Sequence, residues 1–357
     1  MNHVIARSLA AAAALAAAGS AHAIGLGDIV FVDVTGDTVN SYRYGPAARF
    51  IEHTFADASN EINLAQIRRV NGSWYVNSDN VPIQNPSVAQ IFRIDNLFGA
   101  SSHSTVFASH PLQRPIGLDY HRGSDTLIAI NNAPQADQLP VEFEGILGVA
   151  RDGSSAGFIF DEDVGNPTNP RYKAGNRITK DPYDADRFYV TATNGGAGDT
   201  GVGPDTVRPS QIYTLDMAND GSGTLTQLVD FTSTATTLTF VRGITSAIGQ
   251  DGFVDLYITD SFADAIYRVD LDANGDFAAL SLVANVEDPG EIQYNKYTNT
   301  LVFGQIALDT LSQINLDGTG YQVLATNVSP RGIWIVPTPG AGALIAVAGL
   351  VGLRRRR

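Results

Sequence analysis

Short apolar runs separated by polar turns organise this chain. In "DLYITDSFADAIYRVDLDANGDFAALSLVANV", residues 255–286, an apolar strand passes through a short polar link into a second strand. A turn rich in Asp, Asn and Gly then leads to a third. Segments 28–55 and 299–328 repeat this order. Longer versions begin at Gly72, Asp125 and Asp186, with inserts at 77–89, 131–143 and 194–210. Between copies a fourth short strand recurs: "PIGLDY" at 115–120, "NRITKD" at 176–181, "RGITSAI" at 242–248, "GEIQYN" at 290–295 and "RGIWIV" at 331–336. "LAQIRRV" at 64–70 fills the same slot. Runs of about 4–8 residues rich in Val, Ile, Tyr and Phe, bounded by Gly, Asp and Asn, mark β-strands.

Six such units of four strands predict an all-β fold, a six-bladed β-propeller spanning 24–336. No Pro/Ser-rich linker divides the series into two domains, and a β-helix would need shorter, more uniform repeats. A propeller must hide its sheet edges. The last inner strand, 331–336, is therefore expected beside 28–34, in one blade built from both ends of the domain. The fragments "LYITDSFADAIYRVDLD" and "SPRGIWIV" resemble blades of the YWTD, NHL and gluconolactonase-like six-bladed propellers. That resemblance implies the fold; propellers host many activities.

The ends read differently. Residues 1–23 place Arg7 before an Ala/Leu run and finish with Ala21 and Ala23 in A-x-A spacing, as in a secretory signal peptide. Export is expected, with the mature chain starting near Ile24. The C-terminal segment, 337–357, holds an apolar run from Gly340 to Leu353 and then Arg354, Arg355, Arg356 and Arg357. As a transmembrane helix the run would reach only ~21 Å, against a hydrocarbon core of roughly 30 Å. A transient anchor with arginines on the cytoplasmic side fits better than a permanent one. Prolines, a short apolar helix and an Arg cluster resemble the PEP-CTERM sorting signal, here Val336, Pro337, Thr338 and Pro339, with Thr338 where that family usually has Glu. The resemblance implies an exosortase-like processing enzyme. It also implies delivery to the envelope, outer surface or extracellular matrix of a Gram-negative-type bacterium. A simple membrane anchor is the alternative.

Charge narrows the partners. The formal net charge is −14. Between the two ends lie all 37 acidic residues but only 18 of the 23 basic ones, so the body carries −19. Such a surface repels nucleic acid and suits divalent cations. There is no cysteine, which excludes disulfides, thiolate chemistry and Cys-based zinc sites.

Several local patterns invite chemistry. "GSSAG" (153–157) matches G-x-S-x-G around Ser155, but joins two strands and reads as a hairpin turn rather than a nucleophile elbow. "GAGDTG" (196–201) matches G-x-G-x-x-G, but is followed by prolines instead of a helix. His53, His103, His110 and His121 show no zinc-binding spacing; His103 and His110 flank one strand, and His121 sits in a turn. In "DLDANGD", Asp270, Asp272 and Asn274, with Asp276 following, have the alternate spacing that wraps calcium around a Gly turn, but Ser281 replaces the closing Glu of an EF-hand. A plain Asp/Asn/Gly hairpin is the simpler reading. The gluconolactonase-like resemblance implies a divalent metal at the channel mouth. Asp119, Asp181, Glu291 and Asn295 are its inner-strand candidates, although "RGIWIV" lacks the family's first acid. Arg242 and Arg331 occupy similar inner-strand positions and would suit a polar or anion-binding channel. Two functions follow. The first is a non-catalytic propeller binding a protein or polysaccharide through its loops. The second is a metal-dependent hydrolase or lactonase. Convergence of three acidic or amide side chains at one mouth separates them.

Overall fold

A computed structural model describes residues 24–55, 64–78, 89–107, 112, 115–131, 145–161, 175–192, 210–231, 234, 236, 238 and 240–337. The predicted signal peptide, most of the C-terminal segment, His110 and the 196–201 motif lie outside these residues.

Every unit read from the sequence becomes one antiparallel four-stranded sheet. The inner strands are β4 (Leu64–Val70), β8 (Pro115–His121), β12 (Gly175–Lys180), β16 (Val241–Ile248), β20 (Pro289–Asn295) and β24 (Pro330–Ile335). They neighbour one another in a closed ring, β24 beside β4 and β20 beside β24. Closure follows the expectation. In the blade ordered β24, β1 (Ile29–Asp33), β2 (Thr38–Arg43), β3 (Ala48–Thr54), Ile29 pairs with Ile335 and Phe31 with Ile333. The first and last strands of the domain thus share one sheet, so neither leaves an open inner edge.

One apolar residue per inner strand builds the layer that packs the blades together: Ile67, Leu118, Ile178, Ile244, Ile292 and Ile333, all buried. Each inner strand also starts with a register slip of one residue against its neighbour, for example between Pro115 and Gly117 and between Val241 and Gly243. A bulge adds twist and re-aims the side chains after it. Repeated six times, it sets which residues face the channel. Pro115, Pro289 and Pro330 open their strands, where a missing N–H donor costs little.

Strand direction defines two faces. Inner strands begin at what we term the upper face, and the links between second and third strands return there. The strands flanking the three long inserts therefore end at this face, at Ser78, Asn131 and Ala192. In three other blades the same link is a short turn closed by Asp37, Asp264 or Asp309 at φ 45°, 49° and 50°. Their carbonyls accept the N–H groups of Phe55, Val286 and Val328 beyond the outer strands. Asp tolerates this left-handed conformation better than most residues, which explains its recurrence.

Candidate functional site: the channel and its upper mouth

Just past the bulge, the six inner strands present Gly332, Gln66, Gly117, Arg177, Gly243 and Glu291 in ring order. Glycine alternates with a long polar side chain. A Cβ on Gly332 would stand 2.6 Å from the Gln66 Cα, and one on Gly243 would stand 2.5 Å from the Gly290 carbonyl oxygen. Three blades thus bring backbone close to the axis while the alternate three send side chains across it. Gln66 Nε2 donates to Glu291 Oε1 at 2.7 Å, and Arg177 Nε donates to Glu291 Oε2 at 2.5 Å. Arg177 Nη1 also donates to the Ile116 carbonyl. β4, β12 and β20 are not neighbours, so these bonds bridge the channel. All three residues are buried, Glu291 to 2% exposure. Burial pushes the Glu291 carboxyl up, against the opposing pull of Arg177 and Arg68.

Below this floor lies a second polar layer. Arg68 Nε donates to Asp119 Oδ2 at 3.3 Å and Nη2 to the Ile178 carbonyl at 3.2 Å, while its guanidinium lies over Trp334 at 5.6 Å. Gln293 Nε2 donates to Thr245 Oγ1 at 3.1 Å.

The lower end is built from turn caps. Asp181 Oδ1 accepts the N–H groups of Tyr183 and Asp184, and Oδ2 accepts the Tyr189 hydroxyl at 2.5 Å. Burial, then the bond to Asp181, pushes the Tyr189 phenol up. Asn295 Nδ2 donates to the Gly27 carbonyl and its Oδ1 accepts the Tyr297 N–H. His121 closes β8 rather than lying in a turn, fully buried between Ser124 and Asp186.

Two arginines stand at the upper mouth. Arg242, at a bulge position, faces Asp288 at 3.4 Å, and its guanidinium lies over Phe240 at 4.7 Å. Burial pushes Arg242 down, Asp288 opposes this, and the nearby charges of Arg177 and Arg331 push it further down. Arg331 occupies the equivalent bulge in the closing blade.

The six inner-strand candidates therefore divide among levels: Arg242 and Arg331 at the upper mouth, Glu291 just beneath, Asp119 midway, and Asp181 and Asn295 at the opposite end. Glu291 and Gln66 converge, but with Arg177 rather than with a third acid or amide. Among the described residues, no group of three or more His, Asp or Glu side chains is placed to hold a metal ion. Asp270 lies in β18 (Ala265–Leu271), paired with Arg268 at 2.5 Å. Asp272 Oδ1 accepts the N–H groups of Asn274 and Asp276, with Gly275 at φ 81°, in the hairpin to β19 (Phe277–Asn285). These bonds are those of a turn. Ser155 lies likewise in the hairpin between β10 (Gly145–Ala150) and β11 (Ala156–Asp161), its carbonyl accepting the Ala150 N–H. Val336, read as part of the sorting motif, belongs to the closing blade: it is 4% exposed and its N–H donates to the Asp28 carbonyl at 2.9 Å.

One relationship escaped sequence reasoning. His103 sits inside β7 (Ser102–Phe107) rather than flanking a strand, and its Nδ1 lies 2.9 Å from Nε2 of His53 on β3 of the adjoining blade. Fifty residues separate the two, and only the packing of outer strands joins them.

No protein-family model matches the chain, and no curated protein matches it. Among solved structures, a chain of the nidogen/laminin complex crystal structure superposes with a TM-score of 0.61 at 13% identity, over 86% of this chain and 97% of that one. At that identity the likeness shows the fold alone: this chain is a six-bladed β-propeller with four-stranded blades, built like that solved chain.

Proposed function

We propose that this protein is an exported propeller, sorted to the cell envelope or extracellular matrix, that binds a protein or polysaccharide and catalyses nothing. The observation that carries the non-catalytic part is the channel floor. Its buried acid, Glu291, is spent on Arg177 and Gln66. It is therefore not available as a metal ligand or general base without breaking a buried ion pair, which costs several kcal/mol. The PEP-CTERM-like ending supports the address. The solved chain of similar fold comes from a complex of two proteins, nidogen and laminin, which supports a binding role by analogy.

The test uses mature protein purified from the producing cells. Retention on isolated matrix polysaccharide and envelope proteins is measured beside hydrolysis of lactones and esters with added calcium, manganese or zinc. Saturable retention without turnover is expected. Metal-dependent turnover would overturn the reading in favour of a hydrolase, and its loss in Glu291→Gln would put the chemistry at the channel floor.

A further inference from the structure

The propeller begins and ends at one place. Gly27 N–H donates to the Val336 carbonyl at 3.1 Å, and Val336 N–H donates to the Asp28 carbonyl at 2.9 Å. Residues 24–28 and 336–337 thus lie side by side at the lower face, where the inner strands finish. Beyond Pro337 the apolar run starts at Gly340. Those intervening residues reach about 10 Å at full extension. A bilayer that takes up the run therefore lies close under the lower face, not the upper.

That face carries exposed apolar side chains. Tyr183 follows β12, Ile248 ends β16, Phe253 sits in the turn before β17 (Val254–Asp260), and Leu26 precedes β1; they are 61%, 48%, 39% and 47% exposed. Tyr297, after β20, continues the arc between Phe253 and Leu26: a Cβ on Gly27 would stand 3.1 Å from its Cβ. Four consecutive blades contribute. Two of the turns are pinned. Asp181 Oδ1 accepts the Tyr183 N–H, and the Tyr183 hydroxyl donates to the Gly252 carbonyl of the next blade, both at 2.7 Å. Phe253 N–H donates to Asp251 Oδ1 at 3.0 Å, and its carbonyl accepts the Gly249 N–H at 2.8 Å. Turns held this way present their side chains without further ordering of the backbone.

Charge does not select the partner here. Lys180 and Lys296 stand among Asp184, Asp186 and Asp251 in these same turns, and the body of −19 opposes an anionic surface. Tyr, Phe, Ile and Leu side chains suit the boundary of a neutral bilayer, where amphipathic rings settle at headgroup level and apolar ones just beneath.

We infer that the lower face rests on a zwitterionic bilayer while the tail is held in it, with Tyr183, Ile248, Phe253 and Leu26 at headgroup level. This rests on reading 337–357 as a membrane-held sorting segment and goes beyond it. Four side chains supplement such a tail and do not replace it. The consequence is orientation. The upper face, where the strands flanking the three long inserts end, is turned away from the membrane and toward partners.

The chain has no cysteine, so a single introduced one reports one position. Mature full-length protein is reconstituted into phosphatidylcholine vesicles containing nitroxide-labelled lipid. A fluorophore is placed on Phe253→Cys or, at the upper face, on Phe262→Cys, whose native ring stacks on Phe240. Loss of fluorescence is expected at 253 and not at 262, and salt should not change it. Adding Ile248→Asp and Leu26→Asp should restore the signal at 253 while the chain still floats with the vesicles. If the chain floats and both probes are quenched alike or not at all, docking is refuted and the tail reading survives. Quenching confined to vesicles with anionic lipid overturns the apolar contact. A dimer of the detergent-solubilised chain, broken by Ile248→Asp, would assign the face to a second copy and overturn it too. Failure to float brings down docking and tail reading together.

Discussion

Arg177 on β12 and Glu291 on β20 form an ion pair across the channel at 2.5 Å, although these inner strands are not neighbours in the ring. With Gln66 from a third blade, they tie alternate blades together at the axis.

This pair sets an expectation for stability. Arg177→Ala leaves a buried carboxylate without its cation and should cost about 3–5 kcal/mol at pH 8. The Glu291 carboxyl is already raised by burial, and losing Arg177 raises it further. A raised carboxyl stabilises the fold below its unfolded value and loses that contribution as pH rises through the folded value. The variant's deficit in urea unfolding should therefore shrink at pH 5. The double variant Arg177→Met/Glu291→Gln should be less damaged than Arg177→Ala at pH 8.

The histidine pair predicts the opposite pH sense. Ser101 Oγ donates to the Glu52 carbonyl, so it accepts from His53 Nδ1; His53 Nε2 then accepts from His103 Nδ1. The Phe55 ring packs against both imidazoles and the Phe92 ring against His103, whose outer side is exposed. Burial pushes both imidazoles down, and His103 pushes His53 further. Groups lowered by folding leave stability complete above about pH 6.5 and remove it as pH falls through their folded values. The denaturation midpoint should drop between pH 7 and 5, and less so in His53→Phe. An equal drop in that variant would show that the pair does not titrate in this range.

Asp255, on β17 (Val254–Asp260), lies directly opposite Asp270 on β18. Burial pushes its carboxyl up to about 6, with Arg268 opposing and Asp270 adding to the rise. The charged form is thus the disfavoured one, and stability is lost as pH rises through that value. Asp255→Asn should stabilise the protein above pH 7 by on the order of 1–2 kcal/mol, discounted for the exposed hairpin beside it, and do little at pH 4. Thermal unfolding at the two pH values checks this.

Val336 marks where the propeller ends. Its N–H bonds the Asp28 carbonyl and its side chain packs with Val30 and Ile67 in one buried cluster. A chain cut after Pro337 should keep its Tm, remain exported and be lost to the medium or periplasm. A cut after Ile335 should lower Tm by several degrees, since the closing strand loses a buried Val and a hydrogen bond. Intact-mass measurement of the native envelope protein is expected to find most of 338–357 absent. Retention of Arg357 would refute processing.

Much of the architecture was legible because strand periodicity is local. Six copies of a four-strand pattern, each bounded by Asp, Asn or Gly turns, specify blades without knowledge of how they pack. Closure of "RGIWIV" onto "DIVFVDV" followed from the need to hide sheet edges. The hairpins around Ser155 and Asp272 were equally local. The channel was not legible in this way. A one-residue bulge at the start of each inner strand decides which side chains face the axis, and a bulge leaves no signature in hydrophobic alternation. Alternation alone therefore does not single out Gln66 or Arg177, although both meet Glu291 across the ring, nor does it reveal that Asp181 and Asn295 cap turns at the far end. The pairing of His53 with His103, and of Phe240 with Phe262, depends on distances between segments that only packing sets. The sequence by itself determined the blades, their number and their closure, because these rest on backbone hydrogen bonding and burial within short spans. Only the tertiary structure decided what fills the channel and what lines its mouth, because those contacts join strands from separate blades.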